Sequence, residues 1–167
     1  MKRNILKIIG GTILTFAVIS IITYGVVTAQ DKSELQTGGG RLEGTWDARV
    51  SITNCQNGDV RFSFNSIANF MLGGTLIGST AGMPQSNRTP EHGVWSHIKG
   101  NTYAFRSKTF SFNAQNAPTG WTVIKHEIVL DSSGDAYTSS GTAEYYDPDG
   151  ILLRVGCSTA VGTRFRL

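Results

Sequence analysis

Two cysteines constrain the fold of this chain more than any other feature. Cys55 and Cys157 lie near the two ends of a region that otherwise has the pattern of short β-strands. The chain opens with an export signal, and two lone cysteines in an oxidising compartment are expected to form one disulfide. That bond joins the first predicted strand region to the last. Since first and last strands become neighbours when an antiparallel sheet closes on itself, the pair predicts a closed barrel.

The first 29 residues have the pattern of a secretory signal peptide. Lys2, Arg3 and Lys7 give a positive start, an apolar stretch covers 8–27, and small residues precede a cleavage point after Ala29. The alternative is an uncleaved anchor, since a run of this length can span a bilayer. The good cleavage site favours removal. We therefore expect an exported protein, periplasmic or extracellular, with no stable membrane anchor after cleavage.

The remaining chain divides into a short lead-in and one domain. Residues 30–40 are polar and then Gly-rich, which is typical of a flexible segment, and 41–167 has the length of a single domain. Three of the 15 Lys and Arg residues and none of the 12 Asp and Glu residues lie in 1–29, so 30–167 holds 12 of each. A net charge of zero with no basic run gives no indication of a nucleic-acid partner.

Alternation of apolar and polar residues predicts an all-β domain. In 44–52, for example, Trp46, Ala48, Val50 and Ile52 fall on one face and polar residues on the other. The predicted strands cover 44–52, 60–72, 75–80, 92–99, 102–112, 121–130, 136–146 and 151–161. Next-neighbour hairpins at this spacing suit a sandwich or an up-and-down barrel. The Cys55–Cys157 pair favours the antiparallel eight-stranded barrel.

A motif at the start of the first strand resembles that of lipocalins and related calycin barrels. Gly44-Thr45-Trp46 is similar to their Gly-x-Trp, in which the Trp lies at the closed end of the barrel. The resemblance implies that an Arg from the last strand region packs across this Trp. Arg164 and Arg166 are both placed to do so, and the small and apolar neighbours of Arg164 favour it as the partner of Trp46 in a barrel plug.

A second resemblance covers about 42–165. Gly73-Gly74-Thr75-Leu76, then His92-Gly93-Val94-Trp95, and the late Cys157 resemble a group of small exported bacterial barrel proteins of unassigned function. Those proteins are similar in architecture to the allene oxide cyclase-like barrels of the calycin class. The resemblance implies the fold and carries no catalytic residue over. Because the cyclase barrels associate, a homo-oligomer is one open alternative.

Few residues have the spacing of a catalytic or metal site. His92 and His97 lie five apart on one predicted strand and hence on opposite faces, whereas a metal site needs three or four converging ligands. Neither a nucleophile elbow nor a phosphate or dinucleotide loop is present, so no metal and no cofactor is expected. Catalytic residues stay unknown, and Glu144, Glu127 and His92 are the strand-borne candidates for a lumen acid or base.

Aromatic side chains on the strands are the remaining indication of function. In an eight-stranded barrel the inward set either fills the lumen or lines one ligand cavity, and both alternatives stay open. The predicted ligand-binding residues are Phe62, Phe64, Phe70, His92, Trp95, Tyr103, Phe105 and Tyr145. The leading hypothesis is a secreted barrel that binds a small hydrophobic molecule, with the 81–91 loop at the mouth. The alternatives are a cyclase or isomerase acting on a lipid-like substrate and a ligand-free structural or interaction protein of the cell envelope.

Overall fold

The computed structural model describes residues 42–167, so the predicted signal peptide and lead-in lie outside the described residues. Eight antiparallel strands form one closed barrel. The strands are β1 (Gly44–Thr53), β2 (Val60–Met71), β3 (Thr75–Thr80), β4 (Glu91–Lys99), β5 (Thr102–Phe112), β6 (Pro118–Leu130), β7 (Ala136–Tyr146) and β8 (Leu152–Arg164). A short 3₁₀ turn, Gln85–Asn87, lies in the loop between β3 and β4. The predicted all-β, up-and-down, eight-stranded barrel is confirmed.

The barrel closes between its first and last strands. β1 pairs with β8 from Trp46 opposite Arg164 to Thr53 opposite Cys157. Cys55 follows the end of β1 and forms the disulfide with Cys157, at a Cα–Cα distance of 5.3 Å. The bond therefore links the two strands whose pairing shuts the sheet, as the two cysteines predict.

Two strands extend three residues beyond the predicted bounds at one end. β6 begins at Pro118 because the ladder with β5 shifts register between Ser111 and Phe112, and Pro118 then pairs with Phe112. Gly120 makes this shift possible, since its φ of +123° lies in a region that side chains disfavour. β8 continues to Arg164, which stays paired with Trp46 of β1. The prediction that the last strand ends near Val161 was wrong by three residues.

One end of the barrel is packed shut around Trp46. This side chain is fully buried, and its indole N–H donates to the carbonyl of Leu42 at 2.9 Å. The guanidinium carbon of Arg164 lies 4.4 Å from the centre of the Trp46 ring, and the Tyr137 ring makes a T-shaped contact with it at 5.0 Å between centroids. We call this the closed end; its core also includes Phe70, Leu76, Tyr103, Ile128 and Leu130.

Backbone carbonyls hold Arg164 in place over the indole. Its Nη1 donates to the carbonyl of Glu43 at 2.7 Å and its Nη2 to the carbonyl of Gly134 at 2.8 Å. Arg166 instead forms an exposed ion pair with Asp135. Of the two arginines that the resemblance allowed, Arg164 therefore makes the contact with Trp46.

Candidate ligand cavity in the barrel lumen

The lumen is hollow on the other side of this plug. A cavity of about 270 Å³ runs toward the end of the barrel formed by the 81–90 loop and the β1–β2, β5–β6 and β7–β8 turns, which we call the mouth. Phe62 and Met83 line the cavity and are about half exposed, so it reaches solvent there. This volume is close to the lower end of the range for pockets that enclose small molecules.

One wall of the cavity is apolar. β1 and β2 place every second side chain inward, because successive residues of a strand point to opposite faces. The inward residues of these strands that line the cavity are Ala48, Val50, Ile52, Phe62, Phe64, Ser66, Ala68 and Phe70. Seven of these eight are hydrocarbon side chains, so the wall suits an apolar molecule.

The opposite wall carries polar groups at mid-depth. Thr122 and His126 of β6, Ser139 of β7 and Ser158 of β8 line it and are buried. The ring of His126 stacks on Phe105 at 5.4 Å between centroids. Burial lowers the pKa of His126 to about 4, so its imidazole is neutral at pH 7.

Three charged residues line the cavity toward the mouth. Arg88, from the loop, donates from Nε to Thr109 Oγ1 at 3.1 Å, and Glu91 accepts from Ser107 Oγ at 2.7 Å. Desolvation lowers the pKa of Arg88, and the charge of Glu91 opposes that shift. The guanidinium carbon of Arg154 lies 3.7 Å from the centre of the Tyr145 ring. The mouth thus combines two cations and one carboxylate with aromatic faces.

Five of the eight residues predicted to bind ligand line this cavity. They are Phe62, Phe64, Phe70, Phe105 and Tyr145. Their part in binding stays a prediction, whereas their shared position around one hollow is observed.

The other three lie elsewhere, for two different reasons. His92 is exposed on the outer face of β4, because Glu91, Gly93 and Trp95 hold the inward positions of that strand. Trp95 and Tyr103 do point inward, but they pack near the closed end. Trp95 makes a T-shaped contact with Phe70 at 6.2 Å and lies 5.9 Å from Tyr103, both measured between ring centroids.

The three candidates for a lumen acid or base are all outside the lumen. Glu127 and His92 are exposed on outward positions of β6 and β4. Glu144 lies on the outer face of β7, where it accepts from Lys125 Nζ at 2.5 Å and from the Tyr146 hydroxyl at 2.9 Å. These hydrogen bonds lower the pKa of Glu144. Among the described residues that line the cavity, the carboxylate is that of Glu91.

Strand parity was the signal that could have found the polar residues of the lumen. Once Trp95 is placed inward, alternation places Glu91 inward and His92 outward. His126 likewise shares its parity with Ile128 and Leu130. Arg88 comes from a loop, whose side-chain directions no period predicts.

Within residues 42–167, no group of three or more His, Cys, Asp or Glu side chains is arranged to hold a metal ion. The same part of the chain has no helix long and apolar enough to cross a membrane.

The fold and cavity define the class as an all-β, closed, up-and-down barrel with a lumen open at one end, an architecture consistent with the calycin-like resemblance. Comparisons with family models, with curated proteins and with solved structures each found no match.

Proposed function

We propose that this chain is an exported β-barrel protein that binds a small hydrophobic molecule in its lumen. The observation that carries the proposal is the hollow between the Trp46 plug and the mouth, with an apolar wall from β1 and β2. A protein that needed only a stable barrel would gain by filling this space, since interiors normally pack to the density of organic crystals.

Hydrophobic transfer supplies the driving force. A ligand that buries about 200 Å² of apolar surface against this wall gains roughly 5 kcal/mol at about 25 cal/mol per Å². The cavity walls are strands of a closed sheet tied by the Cys55–Cys157 disulfide, so little conformational entropy is lost on binding. A free energy of about 5 kcal/mol corresponds to a dissociation constant of about 0.2 mM, which is the affinity that we expect for simple apolar compounds.

A cyclase or isomerase is the less favoured proposal. The carboxylates and the histidine named for it, Glu144, Glu127 and His92, lie on the outer surface of the barrel. The lumen does hold Glu91 and His126, but Glu91 accepts from Ser107, and both ring nitrogens of His126 are hydrogen-bonded to serines. Binding needs only the cavity and its apolar wall.

The test is titration with N-phenyl-1-naphthylamine, a neutral fluorophore that brightens in apolar surroundings. The protein is purified as the exported product of the full-length chain. Ala68→Phe puts a benzyl group into the cavity from β2. The matched control, Ala104→Phe, adds the same group to the outer face of β5, where Ala104 pairs with Ser96 and Glu127.

Saturable fluorescence that Ala68→Phe abolishes and Ala104→Phe leaves intact supports binding in the lumen. Absence of saturable binding to the wild-type chain overturns the proposal, and so does equal binding by the two variants when both keep the wild-type far-UV spectrum. If Ala68→Phe fails to fold, Ala160→Leu repeats the test from β8, on the other flank of β1.

A further inference from the structure

Three buried side chains form a hydrogen-bonded cluster on the polar wall. Nδ1 of His126 lies 3.0 Å from Ser139 Oγ, and Nε2 lies 2.8 Å from Ser158 Oγ. Each of the three residues is 6–7% exposed, and all three line the cavity. They come from β6, β7 and β8, which are neighbours in the closed sheet.

The cluster holds more donor protons than it uses. A neutral imidazole has one N–H and one acceptor nitrogen, and each serine hydroxyl has one O–H. These three protons make two hydrogen bonds, so one serine donates to the ring and the other accepts from it. The accepting serine keeps its own proton for another partner, and exchanging the tautomer merely exchanges the two serines. A charged imidazole leaves two such protons, so protonation does not remove the surplus.

No other hydrogen-bond partner of Ser139 or Ser158 occurs among the described residues. Buried hydroxyl groups normally satisfy their donors, because an unmade hydrogen bond in an apolar site costs free energy. Both serines line the cavity, so the surplus proton can reach an acceptor there. An acceptor atom of a bound molecule completes the cluster.

The imidazole ring of His126 is held in one orientation, so the cluster offers its hydrogen bond from a fixed position. His126 is fixed by both serines and by its stack on Phe105, and all four residues belong to paired strands. A single neutral hydroxyl donor matches one neutral acceptor, whereas a buried full charge needs several charge-assisted bonds. The chemistry of the cluster thus favours an uncharged oxygen.

We propose that His126, Ser139 and Ser158 form a recognition site for an uncharged acceptor oxygen, carbonyl or ether, on a hydrophobic ligand bound at mid-depth in the lumen. This inference rests on the proposed function, because the cluster is reached only through the cavity. It specifies the ligand class as an oxygenated apolar molecule, since a pure hydrocarbon leaves the surplus donor unpaired.

Two probes of nearly equal shape test it: 2-acetylnaphthalene, which carries a carbonyl oxygen, and 2-ethylnaphthalene, which does not. Each competes with N-phenyl-1-naphthylamine for the exported protein. Replacing the whole cluster by apolar residues, in His126→Leu/Ser139→Ala/Ser158→Ala, leaves no polar group of the cluster unpaired, which is the mildest way to remove such a network. The control variant Ser140→Ala/Thr159→Ala removes two hydroxyls from the exposed outer face of β7 and β8.

The triple variant should lower the ratio of ketone to hydrocarbon affinity about 2- to 10-fold, whereas the control leaves it unchanged. An unchanged ratio in the triple variant, with both probes binding, overturns the inference and leaves the proposed function standing. Failure of both probes to bind the wild-type protein overturns both.

A second readout needs no variant. The carbonyl carbon of 2-acetylnaphthalene labelled with ¹³C shifts downfield when its oxygen accepts a hydrogen bond. Bound to the wild-type protein, it should lie downfield of its position in an alkane solvent. A bound resonance at the alkane position overturns the inference even if the triple variant does not fold.

Discussion

The closed end and the mouth of this barrel are built by the same strands and differ in what fills them. At the closed end, the large side chains of Trp46, Tyr137 and Phe70 meet in one buried cluster. Two residues closer to the mouth on the same strands, the small side chains of Ala48, Ala68 and Ser139 leave a hollow. Inward direction is set by strand parity, but the size of the inward residue decides whether the lumen is core or cavity.

The two ends are also held together in different ways. The closed end is stabilised by burial, with Leu42, Trp46 and Ile128 fully inaccessible. The mouth has exposed apolar residues such as Phe62 and carries the Cys55–Cys157 disulfide beside it. Stability thus comes from packing at one end and from a covalent link at the other, which allows the mouth to stay open.

The largest effect is expected from breaking the plug. Trp46→Ala removes a fully buried indole, its hydrogen bond to Leu42 and the surface under Arg164. It should lower the free energy of unfolding by about 3–5 kcal/mol. Phe64→Ala, at a half-buried position on the cavity wall, should cost far less stability and weaken probe binding instead. Denaturant unfolding and probe titration of both variants check this, and equal losses of stability would contradict the division into two ends.

Removing the disulfide is expected to come next. Cys55→Ser/Cys157→Ser frees a link across 102 residues and should lower the free energy of unfolding by about 2–4 kcal/mol. Because the link lies at the mouth, amide exchange should quicken first at the mouth ends of β1 and β8. Hydrogen exchange followed by NMR measures this. Faster exchange at the closed end, around Trp46, would show that the two ends are not separately stabilised.

Acid is expected to destabilise the protein through His126, which lies between the closed end and the mouth. Its folded-state pKa of about 4 lies below the unfolded value of 6.5, so the unfolded state takes up the proton first as pH falls. The stability that the protein has with a neutral His126 is fully present above pH 6.5. It is lost as the pH falls from 6.5 to 4, and the loss is on the order of 2–3 kcal/mol. Denaturant unfolding at pH 7 and pH 4.5 should show a smaller drop for His126→Gln than for wild type. Parallel pH profiles for the two would contradict burial of a neutral imidazole.

The smallest effect concerns charge at the mouth. Arg154 lines the cavity there, so Arg154→Gln should weaken binding of 2-naphthoate about 2- to 5-fold relative to 2-ethylnaphthalene, and added salt should reduce the difference. Arg61→Gln is the matched control, since Arg61 is exposed on the outer face of β2. Competition titrations of the two probes measure the ratio. A change of equal size in both variants would mean that the cavity mouth is not the site of the effect.

The sequence predicted the fold well because two of its signals are independent. Alternation defined the strands, and the separation of Cys55 from Cys157 indicated which strands meet. The site was predicted only in part. Placing both His92 and Trp95 in the lumen contradicted the alternation itself, and the structure assigns the inward position to Trp95.

What the sequence could not supply is depth along the barrel. Tyr103 and Phe64 both point inward, but Tyr103 belongs to the core of the closed end and Phe64 lines the cavity, because their heights depend on register with neighbouring strands. The His126 cluster likewise depends on β6, β7 and β8 being adjacent in a particular register. Such pairings are properties of the closed sheet, and no single strand pattern contains them.

The most direct test of ligand binding in the lumen is an NMR titration of the exported protein with alanine methyl groups labelled. Ala48, Ala68, Ala143 and Ala160 line the cavity, whereas Ala104 and Ala136 lie on outward positions of β5 and β7. Addition of N-phenyl-1-naphthylamine should move the first four methyl resonances in a saturable way and leave the other two in place. Unmoved lumen methyls, or larger shifts at Ala104 and Ala136, would contradict the account.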